Sequence, residues 1–309
     1  MIKKINFLLE KVDPYFTQRL IFYKSLYIAT ILTYVNWTCH LPLEFTAFMN
    51  PAAMIAPVYE NATLTSYKDK KNIFVLLFTL AAIYSVIFYL VFPYKFTFMF
   101  TFIAGFAILY FGGEKFFPKA KPFAVLVIVV ACMNMSNKPA LSLQVAIDMF
   151  AVIMLTMLVC YFSIITFPNH YFKVWKRAYG LYVNSIRNIL IADLNYMNNN
   201  NFISGTNHMN TMRAYRRLLK KDMFIKATRA GFSMGNVFVS LSCMKVTSEN
   251  REFWVSANKH LNMLYHAVRD NQQLPLFTVD VTTNNKTEIY FKREFNISIN
   301  NWNKLCAMI

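Results

Sequence analysis

The sequence predicts an all-α membrane protein in which six transmembrane helices are followed by a mostly helical cytoplasmic domain with a small C-terminal hairpin. Of its 309 residues, 56% are hydrophobic and only 15% are charged, whereas a soluble domain carries about 25% charged residues. The apolar residues are concentrated in residues 20–167, while residues 168–309 resemble a soluble domain in composition. We therefore divide the chain into an N-terminal cytoplasmic segment (1–19), a transmembrane domain (20–167) and a cytoplasmic domain (168–309).

Six apolar segments are candidates for the transmembrane helices. A helical span needs roughly 20 apolar residues to cross the hydrocarbon core. The candidate segments are 20–41, 43–59, 73–92, 96–111, 122–135 and 141–167. Because the second, fourth and fifth are short, two of them are also candidates for re-entrant segments or for burial by neighbouring helices.

Basic residues alternate between the connections of these spans. They cluster before the first span, between the second and third, between the fourth and fifth, and after the sixth. In the other connections, the only Lys or Arg residues are Lys95 and Lys138. Since basic loops stay in the cytoplasm, this alternation places both termini there and supports an even number of spans.

The last part of the chain predicts helices and one hairpin. Helical spacing of apolar residues covers 170–197, 208–246 and 248–271. Residues 276–281 and 288–298 instead alternate between apolar and polar, and the polar segment between them favours a small hairpin.

Several local features resemble the fusaric acid resistance family, which includes the aromatic carboxylic acid exporters. Pro57 near the end of the second span precedes a Thr-Leu pair at 63–64 and a basic run at 68–71. The sixth span ends on a Phe-Pro step at 167–168, and Lys24 lies early in the first span. The resemblance covers the transmembrane domain and extends loosely to the helical cytoplasmic domain.

The resemblance implies a protein of the bacterial inner membrane that exports small organic anions, such as aromatic carboxylates. It also implies a periplasmic adaptor protein as a partner. Many members of that family carry two six-helix modules in one chain, whereas this chain carries one. It would therefore be a single-module member that works as a homo-oligomer, or else a truncated relative.

Two prolines interrupt the second predicted span. Pro51 and Pro57 each remove a backbone donor and disturb the preceding turn. In a membrane the freed groups need a partner helix or a cavity, and such breaks often mark transporter substrate sites. Asn50 adds a side-chain donor and acceptor there. The alternative interpretation is a tolerated kink.

A polar stripe follows the sixth predicted span. Gln144, Asp148, Thr156 and Ser163 share one helical face. A carboxylate at mid-membrane costs roughly 2.5–3.5 kcal/mol unless it is paired, solvated or protonated. The stripe therefore favours a lined cavity in which Asp148 carries a coupling proton. Alternatively, Asp148 lies near the outer interface, where water reaches it.

Lys24 lies one turn into the first predicted span. Long basic side chains near helix ends usually extend to the lipid headgroups. The alternative is that Lys24 faces the helix bundle together with Tyr27, Tyr34 and Thr38 and attracts an anionic substrate.

A basic stripe is predicted in the cytoplasmic domain. A helix over residues 213–221 places five basic side chains on one face: Arg213, Arg216, Arg217, Lys220 and Lys221. Such a face fits membrane lipids, at about 1 kcal/mol per basic residue near an anionic surface. An acidic substrate or partner and a merely solvated face are the alternatives. Nucleic acid is not favoured, because the chain is membrane-bound.

The sequence contains no pattern typical of an enzyme. The histidines and cysteines lack metal-ligand spacing, and no phosphate-binding glycine-rich loop or catalytic triad is evident. We therefore expect no metal, no cofactor and no catalytic residues. The leading hypothesis is a proton-coupled efflux component. A passive organic-anion channel and a non-transporting scaffold are the alternatives.

The alternation of basic connections predicts that both Met1 and Ile309 face the cytoplasm. Reporter fusions at each end measure this directly. A periplasmic signal from the C-terminal fusion would require an odd number of spans and would contradict the predicted topology.

Overall fold

Every regular element in the described part of the protein is a helix. A computed structural model describes residues 9–39, 55–61, 64–116, 118, 123–137, 143–194, 202–243, 246–278 and 285–308. No strand occurs within these ranges. The all-α class predicted from the sequence is therefore confirmed.

Eleven of the α-helices in the described residues are numbered here in chain order. They are α1 (Thr17–Cys39), α2 (Tyr67–Val91), α3 (Lys95–Ala107), α4 (Gly113–Phe116), α5 (Ala124–Asn137), α6 (Leu143–Thr166), α7 (Tyr171–Leu194), α8 (Phe202–Arg216), α9 (Lys221–Ser242), α10 (Arg251–Asp270) and α11 (Lys286–Cys306). A π-helix, Ile108–Gly112, joins α3 to α4. Residues 9–12 and 55–59 are also helical.

The chain divides into two units. One, called here the apolar unit, is Gln18–Pro168. The other joins the N-terminal residues up to Thr17 to Asn169–Ile309 and is called the C-terminal unit. Contacts within the C-terminal unit hold the N-terminal residues: the Tyr15 hydroxyl is hydrogen-bonded to Nδ1 of His208 at 2.7 Å. The sequence predicts a separate segment over residues 1–19, whereas residues up to Thr17 belong to the C-terminal unit.

Three helical segments among the described residues are long and apolar enough to cross a membrane. They are Tyr67–Val91, Lys95–Lys115 and Ala146–Thr166. These segments are compatible with a membrane protein, but they do not support the predicted count of six spans.

The remaining predicted spans are not among these three segments, for different reasons. α1 has 23 residues, but Lys24 and several Tyr and Thr side chains lower its hydropathy. The described helix of the fifth predicted span, α5, has 14 residues, fewer than the roughly 20 that a span needs. The predicted span 43–59 lies mostly outside the described residues.

Helix α2 organises the apolar unit by contacting α3, α5 and α6. One face of α2 joins a cluster with α1 and α6, formed by residues such as Phe78, Ile28 and Ile153. Another face packs Phe88 with residues of α5. Because α2 is apolar on several sides, it buries more of its surface than a helix at the edge of a bundle.

A glycine permits the close approach of α3 to α2. A Cβ atom at Gly105 would lie 2.6 Å from Cε1 of Tyr84, closer than carbon atoms can approach without a shift. The Tyr84 hydroxyl donates to the Gly105 carbonyl at 3.3 Å. A side chain at this position would push the ring and its hydrogen bond away.

The C-terminal unit is built from two groups of helices. α7 packs against α8 and α10, and α9 packs against α11. A stack of aromatic rings joins these groups, with Tyr179 centred 5.2 Å from Trp175 and 6.1 Å from Trp302. The Tyr179 hydroxyl is hydrogen-bonded to Oγ of Ser298 at 2.7 Å, and Ser298 donates to the Ala230 carbonyl. The buried hydroxyl of Tyr179 therefore has a hydrogen-bond partner.

The predicted C-terminal hairpin is wrong, because its second strand is part of α11. Four large side chains recur at helical intervals of three and four residues and are fully buried: Phe291, Phe295, Ile299 and Trp302. Asn285 caps the helix by accepting a hydrogen bond from the Thr287 amide at 3.0 Å. The period of 3.6 thus prevails over the short alternation that had favoured a strand.

Only residues 276–278 of the predicted first strand are described; they form no regular element, and side chains of α11 hold the backbone of this segment. The Leu274 amide donates to Oδ1 of Asn303 at 2.9 Å, and the Phe277 amide donates to Oδ1 of Asn296 at 2.7 Å. Each of these asparagines also donates back to the carbonyl of its partner residue. Side-chain amides therefore satisfy the backbone groups that a strand partner would otherwise satisfy.

Phe295→Ala is expected to destabilise the C-terminal unit by about 3–5 kcal/mol, because the ring is fully buried. Denaturant unfolding followed by tryptophan fluorescence measures this, since Trp175, Trp254 and Trp302 are all buried in the unit. The matched control is Ile297→Ala on the same helix, where the side chain is 37% exposed and the cost should stay below about 1 kcal/mol. Equal costs for the two variants would contradict the helical register of α11.

Candidate functional site

The apolar unit contains a buried cluster of three charged side chains, called here the Lys–Glu–Lys cluster. Lys24 lies on α1, Glu60 follows the helical residues 55–59, and Lys70 lies in the first turn of α2. Each of the three side chains is at most 4% exposed. Nζ of Lys24 donates to Oε1 of Glu60, and Nζ of Lys70 donates to Oε2 at 3.0 Å. One carboxylate therefore bridges two ammonium groups from different helices.

Aromatic rings surround the two ammonium groups. The ring centroid of Tyr59 lies 4.9 Å from Nζ of Lys24 and 4.9 Å from Nζ of Lys70. The ring of Phe167 lies 5.3 Å from Nζ of Lys24. Cation–π contacts at these distances are worth about 2 kcal/mol or more where water is excluded. They replace part of the hydration that the cations lose on burial.

Local sequence patterns position each member of the cluster. Lys24 shares the buried face of α1 with Leu20 and Ile28, four residues to either side. Ser66 caps α2 by accepting a hydrogen bond from the Lys68 amide. This cap fixes the first turn of α2 and hence the direction of Lys70. The Glu60 amide donates to the Ala56 carbonyl at 2.9 Å at the end of the helical residues 55–59.

Electrostatics within the cluster favour the ionised carboxylate. Burial by itself raises the pKa of the Glu60 carboxyl. The positive charges of Lys70 and Lys24, and the hydrogen bonds they donate, outweigh this effect and hold the pKa below its usual range. Glu60 therefore remains charged while both lysines stay beside it.

An apolar cavity adjoins Lys70 and Tyr59. Its volume is about 60 Å³. Most of its wall is hydrocarbon, with Phe74, Phe78 and Ile153 among the lining residues. An engineered apolar cavity of about 150 Å³ holds a benzene ring, so this cavity admits an aromatic ring only if its side chains move. The combination of an ammonium group and an apolar wall is complementary to a small organic anion.

The structure places Lys24 inside the helix bundle, which is the second of the two interpretations from the sequence. Of its three expected neighbours, Tyr27 is half-buried, with its hydroxyl hydrogen-bonded to Oγ1 of Thr166 at 3.1 Å, whereas Tyr34 and Thr38 are exposed. Tyr34 is 63% exposed, and the Thr38 hydroxyl donates to the Tyr34 carbonyl of its own helix. Lys24 is thus paired with Glu60, and it does not share a polar face with Tyr34 and Thr38.

The predicted polar stripe on α6 is not a continuous polar path. Gln144 is exposed, Asp148 is half-buried and Thr156 is buried. The Thr156 hydroxyl donates to the Val152 carbonyl at 2.8 Å, and the Ser163 hydroxyl donates likewise one turn back. These hydroxyls are satisfied within their own helix. The role of Asp148 as a proton carrier stays a prediction.

The prolines of the second predicted span receive only a partial description. Pro57 lies within the helical residues 55–59 and its ring is exposed. Asn50 and Pro51 lie outside the described residues. The hypothesis of a broken helix at a substrate site stays a prediction.

The five basic residues predicted on one helical face do not share a helix. α8 ends at Arg216 and α9 begins at Lys221, with a turn between them. Leu218 and Leu219 in this turn are both buried. Adjacent residues point in directions about 100° apart on a helix, so a turn buries both leucines more readily than a continuous helix does. Arg213, Arg217, Lys220 and Lys221 are exposed, and Arg216 is half-buried.

Sequence reasoning missed Glu60 and Lys70 as site residues. A signal was present, since Glu60 is a lone acid at the end of an apolar segment and a cap at Ser66 precedes Lys70. Their pairing with Lys24 joins residues 36 positions apart, and no local pattern specifies it.

Comparisons add no relatives to this picture: no protein-family model, no curated protein and no solved structure matches the chain. Within the described residues, no group of three or more His, Cys, Asp or Glu side chains is placed to hold a metal ion.

Glu60→Gln is expected to destabilise the apolar unit by about 3–5 kcal/mol, because it leaves two buried ammonium groups without their shared carboxylate. Lys24→Met should cost less, since Glu60 keeps Lys70. Denaturant unfolding of the detergent-solubilised chain compares the two variants.

The double variant Glu60→Gln/Lys24→Met serves as the control for this comparison. Removing one cation together with the carboxylate should recover part of the stability lost in Glu60→Gln. If Glu60→Gln alone costs no more than Lys24→Met, the carboxylate is not the bridge described above.

Proposed function

We propose that this chain is a membrane-embedded efflux component that exports small organic anions, such as aromatic carboxylates. The observation that carries the proposal is the Lys–Glu–Lys cluster beside an apolar cavity. A buried carboxylate–ammonium cluster is expensive to build, and its presence beside a cavity therefore favours a functional role. The three apolar helical segments, which are compatible with a membrane protein, support the same proposal.

The proposed binding mode follows from charge and shape. The substrate carboxylate approaches Lys70, while its apolar part enters the cavity beside Phe74 and Phe78. A second carboxylate near Lys70 competes with Glu60 for the ammonium groups, because both anions are attracted to the same buried positive charges. Binding therefore requires Lys70 or Glu60 to move, and the cavity of about 60 Å³ must widen at the same time.

This competition also provides a route to proton coupling. A Glu60 carboxylate displaced from its lysines in an apolar environment has a strong tendency to take up a proton. Substrate binding and proton binding are then linked through the same lysines. Glu60 thus joins Asp148, the carboxylate suggested by the sequence, as a candidate carrier of the coupling proton.

The wider setting of the proposal comes from the resemblance to the fusaric acid resistance family. It comprises six spans, both termini in the cytoplasm, a bacterial inner-membrane location and a periplasmic adaptor partner. A single six-helix module also requires partners for its interrupted second span, so we include a homo-oligomer in the proposal. Nucleic acid is not among the proposed partners.

A passive organic-anion channel is the second candidate. It is favoured by the hydroxyls of Thr156 and Ser163, which are satisfied within α6 and form no polar relay from Asp148. A channel needs no titrating carboxylate in its pathway. Export that persists at zero proton gradient would favour it over the exporter.

Export of a labelled aromatic acid from vesicles, measured against an imposed pH gradient, tests the function. Wild type should export faster as the gradient grows. Lys70→Gln should reduce export about tenfold or more, because it removes the cation proposed to bind the carboxylate. If vesicles with and without this chain export the labelled acid at the same rate at every gradient, the proposed function is refuted.

Asp148→Asn and Glu60→Gln, assayed in the same vesicles, identify the coupling proton. The variant that removes the coupling carboxylate should lose gradient dependence while retaining counterflow, which needs binding but no net proton movement. The other variant should keep its gradient dependence. Unchanged gradient dependence in Asp148→Asn removes Asp148 from the mechanism.

A further inference from the structure

The C-terminal unit contains a second, larger cavity with a strongly basic lining. Its volume is about 530 Å³, which lies within the range of about 300–1,000 Å³ typical of ligand sites. Five basic side chains line it: Lys11, Lys173, Lys176, Arg177 and Arg269. Only two acidic side chains do so, Glu10 and Asp270. The lining thus carries a clear excess of positive charge.

The basic residues converge because of helical spacing and chain topology. Lys173, Lys176 and Arg177 occupy positions i, i+3 and i+4 of α7 and so lie on one face. Arg269 comes from the last turn of α10, which packs against α7. Lys11 belongs to the N-terminal helical residues 9–12, which form another wall. Three separate parts of the chain therefore contribute to the cavity.

Hydrogen bonds from Lys176 of α7 to the end of α10 fix the position of this lysine side chain. Nζ of Lys176 donates to Oδ1 of Asn271 at 2.7 Å and to the Arg269 carbonyl at 3.4 Å. Asn271 adopts the left-handed conformation that ends α10, and this conformation directs its side chain and the last carbonyls toward Lys176. Lys176 is thus positioned by neutral oxygen atoms, and Asp270 compensates only part of its positive charge.

Burial and repulsion among the cations both act on the pKa of Lys176. Partial burial lowers the pKa of its ammonium group, and the charges of Arg177 and Lys173 lower it further. Asp270 offsets only part of this effect. An anion placed in the cavity would reverse the repulsion, so the cavity is electrostatically arranged for anionic ligands.

Glu10, one of the two acids in the cavity wall, is well placed to be displaced. It pairs with Nη2 of Arg177 at 3.1 Å, and its side chain is 49% exposed. An exposed pair of this kind contributes little to stability. A ligand with several negative charges can therefore take Arg177 from Glu10 at small cost.

We propose that this cavity binds a phosphate-bearing organic molecule. The phosphate oxygens would contact Lys176, Arg177 and Arg269, since guanidinium and ammonium groups suit phosphate. The organic part would lie against the apolar wall formed by Pro14, Leu181, Tyr265 and Val268. A single carboxylate would leave most of the excess charge unneutralised. The proposal is independent of the transport function.

The phosphate can come from a soluble metabolite or from a lipid headgroup. α7 begins at Tyr171, five residues after α6 ends at Thr166, so the cavity lies close in sequence to an apolar helix. The experiment therefore uses the full chain in nanodiscs, once in neutral phosphatidylcholine and once with phosphatidic acid added. Adenosine diphosphate and inorganic pyrophosphate serve as the soluble probes.

Titration calorimetry with adenosine diphosphate should show saturable binding to the full chain in neutral nanodiscs. Lys176→Gln should weaken it about tenfold or more, by loss of a charge-assisted hydrogen bond. Glu10→Gln should tighten it several-fold, because the Glu10 carboxylate no longer competes with the ligand for Arg177. Lys259→Gln is the matched control: Lys259 is exposed on the same helix as Arg269, about 15 Å along its axis, and its loss should change nothing.

The outcomes separate the sources and decide the proposal. If the soluble probes bind in neutral lipid and still bind when phosphatidic acid is present, the ligand is soluble. If phosphatidic acid abolishes probe binding in wild type, and itself binds the chain in a Lys176-dependent manner, the lipid headgroup is the ligand. Equal weakening by Lys176→Gln and Lys259→Gln would show non-specific charge attraction and overturn the proposal, as would the absence of binding in both lipids.

Discussion

Burial of the Glu60 carboxylate imposes the strongest single constraint on the apolar unit. A carboxylate without partners in an apolar environment costs several kcal/mol. Glu60 is accommodated because two ammonium groups reach it from α1 and α2. The requirement to bring these groups together fixes how α1, residues 55–60 and the start of α2 are arranged. The arrangement of the cavity beside Lys70 follows from the same requirement.

The rest of the apolar unit is compatible with this constraint because α2 is apolar on more than one side. It carries Lys70 in its first turn, and beyond that turn it packs against α3, α5 and α6. Gly105 permits α3 to approach closely, which buries the Tyr84 ring. Charge is thus confined to one end of α2 and hydrocarbon packing occupies the remainder.

The C-terminal unit follows a different principle, since its core is aromatic. The stack of Trp175, Tyr179 and Trp302 joins α7 to α11. Asparagine side chains hold the backbone of the segment 274–277 without any strand partner among the described residues. Basic residues that repel one another gather at the other surface of α7, around Lys176. A stable core therefore supports an electrostatically unfavourable surface, which is the arrangement expected of a binding site.

The sequence by itself determined the helical class and the contrast between an apolar and a more polar half. It also identified Lys24 as a candidate site residue. These properties depend on composition and on periodicity along one helix, which are local. Tertiary structure decided the partners. Glu60 and Lys70 became a site only when the fold joined residues 36 positions apart, and residues 9–12 reached α7 only through the fold. The tertiary structure also determined that residues 288–298 form a helix and not a strand, because Phe295 and Trp302 are buried only when α9 and α7 cover them.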